Sequence, residues 1–293
     1  MRRRKAANLV TSGTRFVSVI LNNVSDPVFR SLLPPLEDAL ERTGRSVFLH
    51  SADESRDRQA DFVRAMADAN ADGIVLCPVA GSTPEHVCAG HVRMPPLVFV
   101  SRALPGPGFD YVLGDDREAA RLAAERLLTL GHRRIAVVGG ELGAFCFGER
   151  LRGHRAALDE ASVAFDEGLV RPSLPTMGEG FRAARWIAAL LPRPTAAVCY
   201  NDSTALGLFY GLTREGLFPG RNFALIGHED IEEVSLVDPP ISVTRFSYGE
   251  MGRRAAAALL ERMSNPDATP NRVVLKAELV VRKTCGVEVT APH

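Results

Sequence analysis

The stretch YVLGDDREAARLAAERLLTLGHRRIAVVGG, from Tyr111 to Gly140, sets out a strand, a helix and a second strand in order. Tyr111 to Gly114 is a short apolar run. From Asp116 to Leu130, residues Ala119, Leu122, Ala123, Leu127 and Leu130 fall on one helical stripe, while Arg121, Glu125 and Arg126 reach water. Gly131 ends the helix, and Ile135 to Gly139 is apolar again. A strand that returns through a helix to a second strand is the building block of a parallel sheet.

The same alternation extends in both directions. Strands are expected at Phe16 to Leu21, Ser46 to Ala52, Gly73 to Val79, Leu97 to Ser101, Ala196 to Tyr200, Ala224 to Gly227, Ser242 to Phe246 and Val273 to Val281. Their β-branched, continuously apolar character predicts burial on both faces. One intervening helix opens at Ser247 with Glu250 as a capping box, runs through Met251, Ala255, Ala258, Leu259 and Met263, and stops at Asn265-Pro266. Another spans Arg56 to Asn70 with Phe62, Val63 and Met66 inward, and Asp26-Pro27 starts a third. The expected fold is α/β, with doubly wound parallel sheets in two lobes.

The chain has 293 residues, 46% of them hydrophobic, enough for two domains of roughly 150 residues. Lysines plus arginines number 35, equal to the acidic residues, so no global positive field holds nucleic acid. The single basic run is Arg2, Arg3, Arg4 and Lys5, which is either a phosphate-contacting arm or a solvated terminus. The five cysteines lack zinc or C-x-x-C spacing, and Cys77, Cys146 and Cys199 sit in apolar stretches as core residues. With no apolar run of about 20 residues and no signal-peptide pattern, a cytoplasmic protein is expected.

In open parallel sheets ligands bind beyond the carboxyl ends of the strands, so the polar residues that follow each apolar run are the candidates. These are Asn22, Asn23 and Asp26, then Arg102, then Asp115 and Asp116, then Glu141 and Arg150, then Asn201 and Asp202, and finally Glu229 and Asp230. Asp116 and Asp202 also suit helix N-caps, and the arginines suit ion pairs with nearby carboxylates. Phe29, Phe145, Phe147 and Phe246 are candidate apolar walls or core residues. Together these groups suit a small polar ligand. No H-E-x-x-H, G-x-S-x-G or P-loop motif occurs, and Gly139-Gly140 lacks the dinucleotide spacing. His228-Glu229-Asp230 alternates faces and cannot converge on one ion. Neither a metal, a cofactor nor an enzymatic reaction is expected.

The segments Asp72 to Pro78, Gly114 to Leu122 leading into Leu130 to Ala136, Glu149 to Gly153, Asn201-Asp202 with Ala205 to Gly207, and Asp238 to Pro240 with Arg245 resemble the LacI family of transcription regulators in the same order. The resemblance runs from about Ala6 to Arg282. It implies a periplasmic-binding-protein-like fold of two lobes joined by three crossovers near Gly131, Phe246 and Asn265. The lobes would then comprise 15–131 plus 247–264 and 132–246 plus 265–293, after a basic arm and hinge remnant at 1–14. In that family a small polar effector, such as a sugar or sugar derivative, sits between the lobes. Its contacts map here to Asp26, Val28, Phe29, Arg102, Asp115, Arg150, Asn201 and Glu229, with Asn23, Phe145 and Phe246 added from the strand ends and walls. Arg150 stands in the family's Arg-Leu-x-Gly signature. Phe246 replaces a frequent polar residue, and Pro175 a frequent aromatic.

The family reads operator DNA with an amino-terminal helix-turn-helix and a hinge helix. That domain is missing from this sequence, and Asn8 and Leu9 match the end of the hinge, Leu9 standing where the family inserts a leucine into the minor groove. The implied protein is a homodimer, or a tetramer, held mainly by Arg56 to Asn70 and Ser247 to Ser264, in which effector binding alters operator affinity. A solute-binding protein without a DNA role and an enzyme acting on a nucleoside or sugar phosphate are the alternatives.

Overall fold

The computed structural model describes residues 14–88, 94–104, 106 and 108–286. Two compact units divide the chain, one made of Met1–Leu113 with Ser247–Leu275 and the other of Gly114–Phe246 with Lys276–His293.

The amino-terminal unit is built on β1 (Phe16–Leu21), β2 (Ser46–Ser51), β3 (Gly73–Leu76), β4 (Leu97–Val100), β5 (Asp110–Gly114) and β11 (Arg272–Leu275), in the order β11-β5-β4-β3-β1-β2. The β1 to β5 ladder is parallel throughout. Helices α2 (Arg56–Asp68) and α3 (Pro84–Cys88) cover one face, where Val63 and Val87 pack on Ile20, Ile74, Leu76 and Phe99. Helix α1 (Phe29–Glu41) packs on β2 and on α9 (Tyr248–Ser264), and α9 packs on β3 and β4. Ser247 caps α9 by accepting from the Glu250 amide at 3.3 Å, as the capping box predicts. Met251, Ala255, Ala258 and Leu259 are buried along α9. On α2 only Val63 of the three expected inward residues is fully buried; Phe62 and Met66 are half-buried.

The carboxy-terminal unit repeats the plan with β6 (Ile135–Val138), β7 (Val170–Arg171), β8 (Ala196–Cys199), β9 (Ala224–His228), β10 (Ser242–Arg245) and β12 (Glu278–Val280), ordered β12-β10-β9-β8-β6-β7. Only β12 runs antiparallel to its neighbour. Helices α4 (Asp116–Thr129) and α5 (Phe145–Glu160) lie on one face over Ile135, Ala196, Ala224 and Ile226; α6 (Met177–Ala189) and α7 (Asp202–Arg214) lie on the other over Ala136, Val138, Ala197 and Leu225. The short helix α8 (Glu232–Leu236) follows β9. In both sheets the order reverses beside the first strand, at β1/β3 and at β6/β8, which marks the place where such sheets leave a crevice.

Several boundaries differ from the sequence expectation. The first passage between units falls after Leu113, not near Gly131, because α4 packs on α5, β8, β10 and β12. Contact on two sides also explains why Ala120, Ala124 and Leu128 are buried beside the expected stripe, while Leu122 and Leu130 are only half-buried. The expected strand from Val273 to Val281 is two strands, β11 and β12, one in each sheet, and the third passage lies at Leu275/Lys276 between them. The second passage is at Phe246/Ser247. Cys77, Cys146 and Cys199 are buried, and so is Cys285.

Candidate effector site

In the amino-terminal unit the residues that follow β1, β2, β3 and β4 meet. Asn22 Nδ2 donates to Glu54 Oε1 at 2.6 Å, and Arg102 Nη1 lies 3.4 Å from both Glu54 Oε2 and the Pro78 carbonyl. Glu54 and Ser101 adopt positive φ angles of 56° and 62°, which turn the chain sharply at the strand ends. Arg102 is buried, and the Cys77 thiol beneath it is pushed up to about 12, first by burial. Asn23 is spent locally, its Oδ1 accepting from the Ser25 amide, and Asp26 Oδ1 accepts from the Val28 amide. Val28 and Phe29 are buried where α1 begins.

The carboxy-terminal unit gathers a second cluster around Arg150. Arg150 lies in the second turn of α5, and its Nε donates to Asp116 Oδ1 at 2.7 Å. Its Nη1 donates to the Tyr200 carbonyl, and the guanidinium carbon stands 4.5 Å from the Tyr200 ring centre. Side-chain exposures of 13% for Arg150 and 3% for Asp116 make this a largely desolvated pair, so its geometry is strongly determined. Gly140 permits the arrangement: it has φ of +89°, and a Cβ there would meet the rings of Phe147 and Tyr200.

The other expected residues of this unit stand at the starts of α4, α5 and α7 and just after β9 and β10. Asp115, not Asp116, is the cap of α4, its Oδ1 accepting from the Glu118 amide at 2.9 Å. Asn201, not Asp202, caps α7: Oδ1 accepts from the Thr204 amide and hydroxyl, while Nδ2 donates to the Pro175 carbonyl. Phe246 is buried, meets the His228 ring edge-on at 5.0 Å and covers Gly114. Glu229 is largely buried with φ of 113°. Phe145 opens α5 and is 41% exposed, whereas Phe147 is buried against Tyr200. Asn8 and Leu9 lie outside the described residues.

Two partners fall outside the strand-end candidates: Glu54 follows β2, and applying the strand-end rule to that strand as well finds it, while Tyr200 reads as strand interior. Asp116 is both a strand-end and a cap candidate; with Asp115 capping α4, its carboxylate is left for Arg150. His228, Glu229 and Asp230 diverge as expected: His228 Nδ1 pairs with the Thr244 hydroxyl at 2.7 Å, and Asp230 pairs with Arg245 and Arg282. Among the described residues no group of three or more His, Cys, Asp or Glu is placed to hold a metal.

Asp202 is the most perturbed acid. It is fully buried, its Oδ2 accepts from the Ile231 amide at 2.8 Å, and Oδ1 has no hydrogen-bond partner among the described residues. Burial raises its pKa to about 8 despite its place at a helix amino end, where a carboxylate gains only about 0.3–1 kcal/mol. Its unfolded value is near 3.8, so between these limits the folded chain keeps a proton that the unfolded chain releases. This group therefore lowers stability as pH rises from about 4 to about 8 and adds no slope above that. Urea unfolding of wild type and Asp202→Asn at pH 5 and pH 8 checks it: the variant is expected to gain on wild type at the higher pH, and an unchanged difference refutes the assignment.

The profile of the family described as "Periplasmic binding protein-like domain" matches residues 124–285, more than half of the chain. The chain belongs to this family. Relatives that align along nearly the whole chain carry the names of transcription regulators. The maltose regulon regulatory protein MalI of Escherichia coli (strain K12) is 28% identical over 97% of this chain and 85% of its own length. The HTH-type transcriptional repressor PurR of Mannheimia succiniciproducens is 26% identical over 95% of this chain and 84% of its own. Among solved structures, a complex of the transcriptional regulator CelR with cellobiose superposes with a TM-score of 0.82 at 25% identity, covering 96% of this chain and 89% of that one. The fold is thus periplasmic-binding-protein-like, and the chain is similar in sequence and architecture to transcription regulators, among solved structures a LacI-family regulator of Sanguibacter keddieii at 26% identity with a TM-score of 0.80.

Proposed function

We propose that this chain is the effector-binding and dimerising part of a ligand-responsive transcription regulator, that it acts in the cytoplasm and that it carries out no catalysis. Its effector is a small polar molecule of the sugar class, and operator DNA is its macromolecular partner. The observation that carries this reading is Arg150: a guanidinium oriented by a buried carboxylate and a carbonyl, against an aromatic ring, beside the β6/β8 strand ends where the sheet order reverses. A planar fork of donors fixed in this way suits vicinal hydroxyls or a carboxylate. The proposed contacts in the carboxy-terminal unit are Arg150, Asp115, Asn201, Glu229, Phe145 and Phe246; Arg102, Asn23 and Asp26 are proposed separately as the contacts of the amino-terminal unit. The cellobiose complex of the CelR regulator and the maltose-regulon name of MalI favour a carbohydrate. No described helix is long and apolar enough to cross a membrane.

Self-association is proposed through the edge of the amino-terminal unit. Of the two helices expected at the dimer face, α9 has its apolar side committed to α1 and the sheet. The outer side of α2 remains exposed, and the edge strand β2, whose His50 ring lies 4.8 Å from Phe62 of α2, carries Phe48 and Leu49 at 53% and 45% exposure. Edge strands with exposed apolar side chains seek a partner.

A thermal-shift panel of sugars, sugar acids, polyols and purines tests the function. At least one compound is expected to raise the melting temperature, since a ligand at 100 times its Kd adds about 2.7 kcal/mol. Sustained turnover of a panel compound, in place of simple binding, would overturn the non-catalytic reading.

A further inference from the structure

Beneath Arg150, inside the carboxy-terminal unit, lies a cavity of about 20 Å³ that the function above leaves unused. Its floor is the sheet face formed by Val137 and Val198, with His228 and Thr244 beside them, and His154, one turn beyond Arg150 on α5, closes it from above. His228 Nδ1 is engaged by the Thr244 hydroxyl at 2.7 Å, but its Nε2 has no hydrogen-bond partner among the described residues. His154 Nδ1 has none either, and its ring is held edge-on to Phe165 at 6.3 Å. Both side chains are at least nine-tenths buried. An apolar cavity of this size needs no occupant, but two orphaned ring nitrogens on its wall cost about 1–3 kcal/mol each unless something meets them.

We propose that this cavity is a binding site for one uncharged hydroxyl group, that of water or of a small alcohol, which bridges His228 Nε2 and His154 Nδ1. The volume admits a single water-sized group, for which roughly 10–15 Å³ suffices. Charge selects the class. Burial holds both imidazoles neutral, with His154 brought down to about 4 and His228 lowered further by the Arg150 charge, so no cationic ring meets an anion. Asp116 already balances Arg150, which in turn repels a cation. The protons close consistently: the Thr244 hydroxyl donates to His228 Nδ1, His228 Nε2–H donates to the hydroxyl oxygen, and the hydroxyl donates to His154 Nδ1. The arrangement proposed here thus has both histidines as Nε2–H tautomers. The assignment concerns this unit alone and does not depend on the identity of the effector.

Two measurements on the wild-type chain decide it. In ¹⁵N-histidine spectra at pH 7, His154 and His228 are expected as neutral Nε2–H tautomers; a protonated ring, or the Nδ1–H form at either position, overturns the proposal. In crystals grown without alcohols and diffracting to about 1.5 Å, a density peak is expected at hydrogen-bonding distance, about 2.7–3.2 Å, from both nitrogens. If the same peak survives soaking in ethylene glycol the guest is water, and if elongated density replaces it the site takes an alcohol hydroxyl. His154→Phe is expected to lose the peak. Wild-type density with no peak in either crystal, or with the two rings bonded directly to each other, refutes the site.

Discussion

Arg150→Ala is expected to destabilise the carboxy-terminal unit by on the order of 3 kcal/mol, and adding Asp116→Asn to it is expected to recover a large part of that loss. The asymmetry follows from burial. Removing the guanidinium leaves the Asp116 carboxylate, 3% exposed and at the start of α4, without the 2.7 Å bond that compensates its desolvation. Converting that carboxylate to an amide removes the uncompensated charge. A double-mutant cycle by urea unfolding should give a coupling of about 1–3 kcal/mol, the range found for residues in one buried network. Additive losses would mean that the two side chains do not act on each other, and the picture of Arg150 as a pre-set fork would fail. Arg150→Lys keeps the charge but not the planar pair of contacts to Asp116 and Tyr200, so it should fall between wild type and alanine.

A second large effect is expected from a single methyl group. Helices α6 and α7 approach so closely that a Cβ on Gly207 would lie against the Met177 carbonyl and the Phe181 amide, and a Cβ on Gly180 would lie against the Thr204 carbonyl. These obstacles are backbone, and no rotamer change relieves them. Alanine in a helix interior normally gains up to about 1 kcal/mol over glycine. At Gly207 the separation of two helices outweighs that gain, and Gly207→Ala should lose on the order of 3 kcal/mol. Gly148→Ala on α5 supplies the contrast, because open space surrounds its Cβ position; there a gain of up to about 1 kcal/mol is expected. A large loss at Gly207 with a small gain at Gly148 in chemical denaturation supports the packing, and a neutral Gly207→Ala contradicts it.

The two effects also show how far the amino-acid order can be read. Periodicity reveals α4, α9 and the apolar strands because burial on one or both faces leaves a direct mark on residue type. The carboxyl ends of those strands could then be listed, and Arg102, Asp115, Arg150 and Asn201 were on that list from chain position alone. Pairing is less legible. Nothing local to Arg150 distinguishes Asp116, 34 residues away, from its own neighbour Glu149, and only the packing of α4 on α5 makes the choice. The same contact moved the unit boundary: α4 reads equally well as the last helix of one lobe or the first of the next until its partners are known. Val273 to Val281 shows a related failure, since a run of strand-forming residues does not say where the chain leaves one sheet for another. Glycine contacts such as Gly207 on Met177 leave no pattern at all, because glycine at a crossing of two helices looks the same as glycine tolerated on a surface.

The carboxy-terminal unit is proposed to hold a small polar effector through the strand-end residues around Arg150. The most direct test is a crystal structure of the chain soaked with a compound that raises its melting temperature. Ligand oxygen atoms are expected within hydrogen-bonding distance of the Arg150 guanidinium, with Phe145 or Phe246 against the ligand's apolar face. A ligand seated away from Arg150, with Asp116 and Tyr200 still holding that side chain as before, would contradict the account.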